Sequence, residues 1–450
     1  MVLDYSPTLS DAGALLYLAS NPDVELLAVT LPGTGEADCV PGMRTTRSLL
    51  TIAGRPDVPI ACGVDTPLSG NRDWPQEWRD EVNRWGNELL PPGEDAPVRD
   101  AEELLVSTLS GATSPITLVA VAPLTNLAVV LDAHPELVQQ VERVVIMGGA
   151  VNVAGNVEAS PEAEWNIYID PEAARRVIAT GLPITMVPLD ATNHLPWTDL
   201  LVRRLGTIDH AAGKTEHQLA TSRATLEGFY LWDELAAMVT VHPDLVTLEQ
   251  TAVRIDDNGA VVVDPAGVTL DVAVDAKSDA ATEEFLQTLN GGPLPVLDPL
   301  TDEESAYLSS MNGANTRATA AFDVAYSSMD SHASEPPREA AAVFVALFFD
   351  ALTDLANDVR ALDPPATLGD AHERLLARLD EFLTNRDAIL VALADADGAD
   401  SIEVLNNAMT AVLPEASSRD VFGKIDVACQ VIEDYSILRG GPLVCVGGDG

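Results

Sequence analysis

Lysine is almost missing from this chain. Lys214, Lys277 and Lys424 are the only three, and the other basic residues are arginines. Asp and Glu number 70 against 25 Lys and Arg, a formal net charge of -45 over 450 residues. So acidic a chain repels polyanions, which excludes recognition of nucleic acid or of an anionic membrane through a basic patch. Long apolar runs are missing too. No stretch approaches the ~18 uncharged apolar residues of a membrane helix, so no transmembrane segment is expected. Aromatic residues make up 5%, and all six Trp precede residue 233. The bias toward Arg fits a GC-rich genome or a salt-tolerant surface, and the charge itself is read as solubility.

Cysteine is sparse. Cys39, Cys62, Cys429 and Cys445 form two close pairs, one near each end. Neither pair has Cys-X-X-Cys spacing and no His cluster accompanies them, which argues against zinc. Two arrangements stay open: four buried thiols, or two local disulfides in an extracytoplasmic protein. Several catalytic devices are absent as well. Gly33-Thr34-Gly35 lacks the Lys and third Gly of a phosphate cradle. No Gly-X-Ser-X-Gly or His-Glu-X-X-His occurs. His134 and His242 each precede Pro at a helix end and are read as structural.

What is present is length and periodicity. A chain of 450 residues with 47% apolar content supports two or three domains with sizeable cores. Apolar segments at 26–31, 58–61, 116–122, 143–146 and 184–189 predict strands. Helical segments at 12–19, 44–53, 101–109, 124–131 and 171–178 alternate with them. This is an α/β pattern, a mostly parallel sheet with helices on both faces, assigned to residues 1–293. Asp257-Asn258-Gly259 marks a hairpin. The stretch from Asp73 to Gly93, rich in Trp, Pro and Asn, reads as a long functional loop. Asn290-Gly291-Gly292-Pro293-Leu294-Pro295 signals a break, with the linker placed at 294–300. Beyond it Phe344, Phe348, Leu352, Leu355 and Val359 share one helical face, as do Leu375, Leu379, Phe382 and Leu390 after Pro364-Pro365. Residues 301–450 therefore predict an all-α helical bundle domain. No signal peptide precedes the strand at Val2-Leu3-Asp4, so a start further upstream or a missing leader is expected.

The most informative stretch runs from Met147-Gly148-Gly149-Ala150 through Gly155-Asn156-Val157 to Glu164-Trp165-Asn166 and Asp170-Pro171-Glu172. It is a polar loop at the carboxyl end of a buried strand, where open α/β sheets bind ligands. Asp170 before Pro171 reads as a helix cap. Asn156, Glu164 and Asn166 are left without such a task and can hydrogen-bond vicinal hydroxyls. Carboxylates gather at other strand ends: Asp4 and Asp11 after the first strand, Asp190 after 184–189, and Asp233 in Trp232-Asp233-Glu234-Leu235. Each alone is most simply a cap. Together on one sheet edge they point to a hard-cation or sugar site.

Ala122-Pro123-Leu124-Thr125-Asn126-Leu127-Ala128, Arg143-Val144-Val145-Ile146-Met147-Gly148-Gly149-Ala150, Glu164-Trp165-Asn166, Asp170-Pro171-Glu172-Ala173-Ala174, Pro183-Ile184-Thr185-Met186-Val187-Pro188-Leu189-Asp190 and Trp232-Asp233-Glu234-Leu235 share an order and spacing. In these the chain resembles the nucleoside hydrolase family, the inosine/uridine-preferring ribohydrolases. The resemblance implies an enzyme that hydrolyses the N-glycosidic bond of ribonucleosides to base and ribose. Its transition state would be oxocarbenium-like, with Ca²⁺ and a carboxylate base making the nucleophile. By position, Asp11, the Thr125 main-chain carbonyl and Asp233 match Ca²⁺ ligands. Asn156, Glu164 and Asn166 match ribose contacts, and Met147 the sugar pocket. The implied partner is a nucleoside or another ribose-containing small molecule, and a homo-oligomer is compatible with it.

The first loop departs from the family's Asp-X-Asp-X-Gly-X-Asp-Asp. It reads Asp4-Tyr5-Ser6-Pro7-Thr8-Leu9-Ser10-Asp11. Ser6 stands for the Asp that is base and bridging Ca²⁺ ligand, Ser10 for a ribose contact, and Thr8 for the Gly. A hydroxyl of ordinary acidity is no general base at pH 7. Fewer anionic oxygens also weaken Ca²⁺ binding. Trp232 replaces a His that assists the leaving base and joins the substrate-binding set. Asp4 and Asp11 stay as catalytic candidates from the motif. Glu36 and Asp38, on the loop after the second strand, are expected to supply a substitute carboxylate. The alternatives are a pocket that binds nucleoside or ribose without cleaving it, and a scaffold whose helical domain is an interaction module. An exposed apolar stripe would mark the latter. Cys39 and Cys62 resemble a secreted-type subgroup of hydrolase homologues. The expectation is an extracytoplasmic or secreted protein with disulfides Cys39–Cys62 and Cys429–Cys445, and the alternative is a cytoplasmic one.

Overall fold

Among the described residues nine strands form one sheet: β1 (Val2–Asp4), β2 (Ala28–Leu31), β3 (Ile60–Cys62), β4 (Ile116–Ala120), β5 (Val141–Met147), β6 (Ile184–Val187), β7 (Val246–Ile255), β8 (Val261–Val263) and β9 (Val268–Ala276). The structure is a computed structural model and describes residues 1–8, 11–91, 93, 100–222, 226, 228–294, 299–331, 336–396, 401–412 and 432. The chain divides into two units, Met1–Pro295 and Val296–Gly450.

The strand order is β3-β2-β1-β4-β5-β6-β9-β7-β8. β1 to β6 pair in parallel and β9 joins β6 in parallel, while β7 runs antiparallel to β8 and β9. Side chains alternate between the two faces, as the pleat requires. Val2, Leu118 and Val144 pack into one apolar cluster, and Leu3, Val119 and Val145 into the other. The parallel strands are therefore buried on both sides, which is why they read as continuous apolar runs.

Helices α1 (Asp11–Ser20), α2 (Cys39–Ile52) and α3 (Gln76–Leu89) follow the first three strands. α4 (Ala101–Ser110) and α5 (Thr125–Ala133) flank β4, and α6 (Trp165–Ile169) and α7 (Pro171–Ile178) follow β5. Four more lie between β6 and β7: α8 (Leu189–Thr192), α9 (Asp199–Gly206), α10 (Ala211–Thr221) and α11 (Trp232–Val241). α12 (Ser278–Asn290) closes the unit. Leu15, Leu49, Leu235 and Phe285 of α1, α2, α11 and α12 cover one face, and Leu105, Leu127 and Val177 of α4, α5 and α7 the other. Each such burial contributes about 1.5–3 kcal/mol relative to exposure. The expected α/β architecture is thus the one the chain adopts.

The connections place the site. β1 lies between β2 and β4, so the chain runs one way along the sheet after β1 and the other way after β4. The carboxyl edge at that reversal is the crevice where open sheets take ligands. One expectation there is corrected. The stretch from Asp73 to Gly93 is not mainly loop, because Gln76–Leu89 is helical. Trp78, Val82, Trp85 and Leu89 recur at helical spacing. At Gly86 the helix meets α2 so closely that a Cβ would stand 1.9 Å from Thr45 Oγ1.

α12 ends at Gly291, whose φ of 73° is the left-handed cap that glycine supplies. Positions 295–298 of the expected linker lie outside the described residues. The second unit is helical: α13 (Asp302–Ser331), α14 (Pro337–Arg360), α15 (Gly369–Leu383), α16 (Arg386–Asp395) and α17 (Ser401–Val412). Phe344, Phe348, Leu352, Val359, Leu375, Leu379 and Phe382 are buried in its core, with Leu355 and Leu390 packed against them. The apolar stripe of α14 is thus used inside the unit, which counts against its serving as an interaction face.

Candidate active site

A cavity of about 550 Å³ opens at the reversal point of the sheet. Ser6, Thr8 and Asp11 line it from the loop after β1 and the start of α1, Glu36 from the loop after β2, and Val121 from the end of β4. Met147, Asn156, Glu164, Trp165 and Asn166 come from the stretch after β5, and Phe229, Trp232 and Asp233 from the approach to α11. Trp74, Trp78, Glu81, Val82 and Trp85 add a wall from α3 and the segment before it. The sequence marked that region by its Trp content but not its helical form.

The stretch after β5 is held by its own polar groups. Gly149 has φ 86°, a conformation that a β-carbon disfavours. Its N–H donates to Glu164 Oε2 at 3.0 Å. Glu164 also accepts from the N–H groups of Asn166 at 2.8 Å and Ile167 at 3.3 Å, so it is the N-cap of α6. Asn156 Oδ1 accepts from Trp165 N–H at 3.2 Å. Asn166 Nδ2 donates to the Val121 and Met147 carbonyls at 3.4 and 3.3 Å. The three side chains left without a task therefore have local ones, and they still line the cavity. Asp170 is the cap of α7 as expected, accepting from Ala173 N–H at 3.1 Å.

The carboxylates differ in how they are satisfied. The Thr8 hydroxyl donates to Asp11 Oδ2, while Asp11 Oδ1 is buried without a donor. Among the described residues no donor bonds the carboxylates of Asp233 or Glu36. Burial raises Asp11 well above the usual carboxylate range, opposed by the Thr8 bond and helped by Glu36. Burial also raises Asp233, with Asp11, Glu234, Glu164 and Glu36 adding like charge. Glu36 is pushed up to about 7 by burial and then by Glu81, with Arg79 pulling the other way. Burial raises Glu164 against the pull of its three main-chain donors.

Not every expected residue reaches the cavity. Asp4 is buried behind it, accepting from Thr30 Oγ1 at 2.6 Å and Asn126 Nδ2 at 2.8 Å. Asp38 is exposed and turns to Arg79 and Asn83, at 2.6 and 2.7 Å. Asp190 accepts from the N–H groups of Val151 and Asn152, both at 2.8 Å, and so anchors the stretch after β5. Thr125 sits inside the fold, its hydroxyl bonded to Asp170 Oδ2 and Thr34 Oγ1, both at 2.9 Å. The residue that reaches the cavity from that end of the sheet is Val121. Ser10 and the Cys429–Cys445 pair lie outside the described residues. Among the described residues no three Asp, Glu, His or Cys side chains are placed to hold one metal ion.

The aromatic walls fall into two groups of packed rings. Trp74 stacks on Trp165 with ring centres 5.0 Å apart, and Trp78 meets Trp165 edge-on at 5.2 Å. Trp232 packs against Phe229 and Tyr230, at 6.0 and 5.8 Å. The cavity thus joins a polar floor of carboxylates and amides to flat apolar walls. That combination suits a ligand with a hydroxylated part and a planar part.

Known proteins resemble this chain in sequence and in fold. An uncharacterised protein of Schizosaccharomyces pombe is 32% identical over 312 residues, 64% of this chain and 97% of that protein. The pyrimidine-specific ribonucleoside hydrolase RihA of Photobacterium profundum is 35% identical over 219 residues, 49% of this chain and 69% of that protein. Among solved structures, a plant nucleoside hydrolase (the PpNRh1 enzyme) superposes with a TM-score of 0.59 at 27% identity, over 64% of this chain and 98% of that one. The inosine-uridine preferring nucleoside hydrolase of Bacillus anthracis does so at 0.58 and 25%, over the same shares. Residues 1–287 match the family described as inosine-uridine preferring nucleoside hydrolase. The chain belongs to that family.

Proposed function

We propose that this chain hydrolyses the N-glycosidic bond of a ribonucleoside, releasing base and ribose. The observation that carries the reading is the meeting of Asp11, Glu36, Glu164, Asp233, Asn156 and Asn166 in one cavity beside stacked Trp rings. The amides and Glu164 supply donors and acceptors for ribose hydroxyls. The Trp walls supply faces for the base.

Ca²⁺ is the cofactor that the family implies, and the donors here fit a hard cation. Asp11 Oδ1 is buried without a donor, Asp233 faces the same cavity with its carboxylate unbonded, and each raises the need for positive charge at the other. Asp11 and Asp233 would hold the ion, with the Val121 carbonyl as the neutral oxygen. Two carboxylates make a weak site, in keeping with Ser6 where the family has Asp. When bound, such an ion lowers the pKa of a coordinated water and orients hydroxyls. The chain's own residues do the rest. Glu164 and Asn166 orient the sugar, and the Trp walls exclude bulk water from it.

The test is direct. Purified protein is mixed with inosine, uridine and adenosine, with and without Ca²⁺, and released ribose is measured as reducing sugar. Binding is followed by calorimetry. Release from any of the three supports the reading. Binding without release would overturn it in favour of a nucleoside-binding homologue.

A further inference from the structure

We propose that Glu36 is the proton acceptor for the attacking water, in place of a carboxylate on the loop after β1. The assignment rests on the hydrolase reading above and says which side chain completes it.

The other candidates are committed elsewhere. Ser6 Oγ accepts the Ala37 N–H at 3.1 Å, and Thr8 donates to Asp11 Oδ2. Glu164 has both carboxylate oxygens committed to main-chain N–H groups as the N-cap of α6. Asp233, in the first turn of α11, is assigned above to the cation together with Asp11. Asp38 is bound to Arg79 and Asn83 outside the cavity, and Asp4 is sealed behind it by Thr30 and Asn126. Glu81 lines the mouth but is exposed.

Glu36 lines the cavity, partly buried, with no donor on its carboxylate among the described residues. Its backbone is fixed against the loop it replaces. A Cβ on Gly35 would stand 2.8 Å from Ser6 Oγ, and Ala37 N–H reaches the same oxygen. Glu36 is thus bracketed by two contacts to Ser6, at the place where the first loop would present its own carboxylate. Three residues on, Cys39 is bonded to Cys62.

The step balances as follows. A water O–H proton passes to the Glu36 carboxylate while the water oxygen bonds to ribose C1′. The C1′–N bond breaks, its electron pair leaves on the base nitrogen, and the base takes a proton from solvent. Glu36 then returns its proton to solvent.

The experiment compares wild type with Glu36→Gln, the double variant Glu36→Gln with Ser6→Asp, and Glu36→Ala assayed with added formate. General-base loss is expected to lower kcat by about 10²–10⁴-fold, with inosine or uridine binding by calorimetry nearly unchanged. Ser6→Asp is expected to restore kcat by at least about tenfold, and formate to restore it in proportion to its concentration. Circular dichroism checks the fold of each variant. If Glu36→Gln folds poorly, the formate series on Glu36→Ala decides the matter, and no restoration there counts against the assignment. Unchanged kcat in Glu36→Gln, or equal losses of kcat and binding, would overturn the assignment alone. No ribose release from wild type would overturn the hydrolase reading together with it.

Discussion

Cys39 and Cys62 are joined by a disulfide with Cα atoms 5.7 Å apart, which fastens the start of α2 to the end of β3. The loop that carries Glu36 runs directly into this bond. Closing a separation of 23 residues is worth about 3 kcal/mol through the unfolded state. Reduction, or Cys39→Ala with Cys62→Ala, should lower the melting temperature of the first unit and reduce kcat more than it weakens nucleoside binding. Such bonds persist in oxidising compartments, and we propose an extracytoplasmic site of action. Thiol counting on the denatured protein should find no more than two free thiols, and four would remove the argument.

Glu164 accepts three main-chain N–H groups from two different turns of the chain. Glu164→Ala leaves those donors without a partner, at about 1–3 kcal/mol. The expected result is a lower melting temperature and a raised KM in one variant. A raised KM with unchanged melting would show that the cap contributes nothing to the fold.

A divalent cation held by Asp11 and Asp233 would stabilise the folded chain by mass action. At a hundredfold excess over its Kd the gain is about 2.7 kcal/mol. Adding Ca²⁺ to chelator-treated protein should raise the melting temperature of wild type and leave Asp11→Asn and Asp233→Asn unmoved. An equal rise in all three would place the ion elsewhere.

Asp4 gives a pH dependence of known sign. Burial pushes its carboxyl up to about 7, against the pull of Thr30 and Asn126. The folded chain therefore keeps a proton that the unfolded chain releases near its usual carboxylate pKa of about 4. That stability is fully present below about pH 4 and is lost as pH rises to about 7, on the order of 4 kcal/mol at most. Melting from pH 5 to 7.5 should fall further for wild type than for Asp4→Asn. Parallel curves would show that Asp4 does not carry the proton.

The net charge of -45 makes a last prediction. Self-repulsion opposes the compact state and is screened within ~10 Å at 0.1 M salt. Melting temperature should climb with monovalent salt up to about 1 M.

The strands were legible because burial on both faces leaves continuous apolar runs, as in Val144, Val145 and Ile146. The cap at Asp170 was legible because Pro171 follows it. Glu164 was harder, since its partners Gly149 and Ile167 are assembled only when the stretch after β5 folds back. Trp78, Val82 and Trp85 carried a helical period that their Trp-rich and Pro-rich surroundings obscured. Asp38 and Glu36 are two residues apart and equally acidic in sequence. Arg79, more than forty positions away, draws one of them out to the surface. Val121 follows β4 directly and Thr125 opens α5 four residues later, and only tertiary packing decides which one meets the cavity.

Five of the six Trp line the cavity, and the helical unit has none. Tryptophan fluorescence therefore reports on the first unit of a 450-residue chain, and mostly on its cavity. Tryptophan-selective emission follows ligand entry and the melting of the sheet, while loss of the helices beyond residue 300 is silent in that emission and visible in far-ultraviolet circular dichroism. Two spectrometers can thus follow the unfolding of each unit in one heated sample, with no label attached.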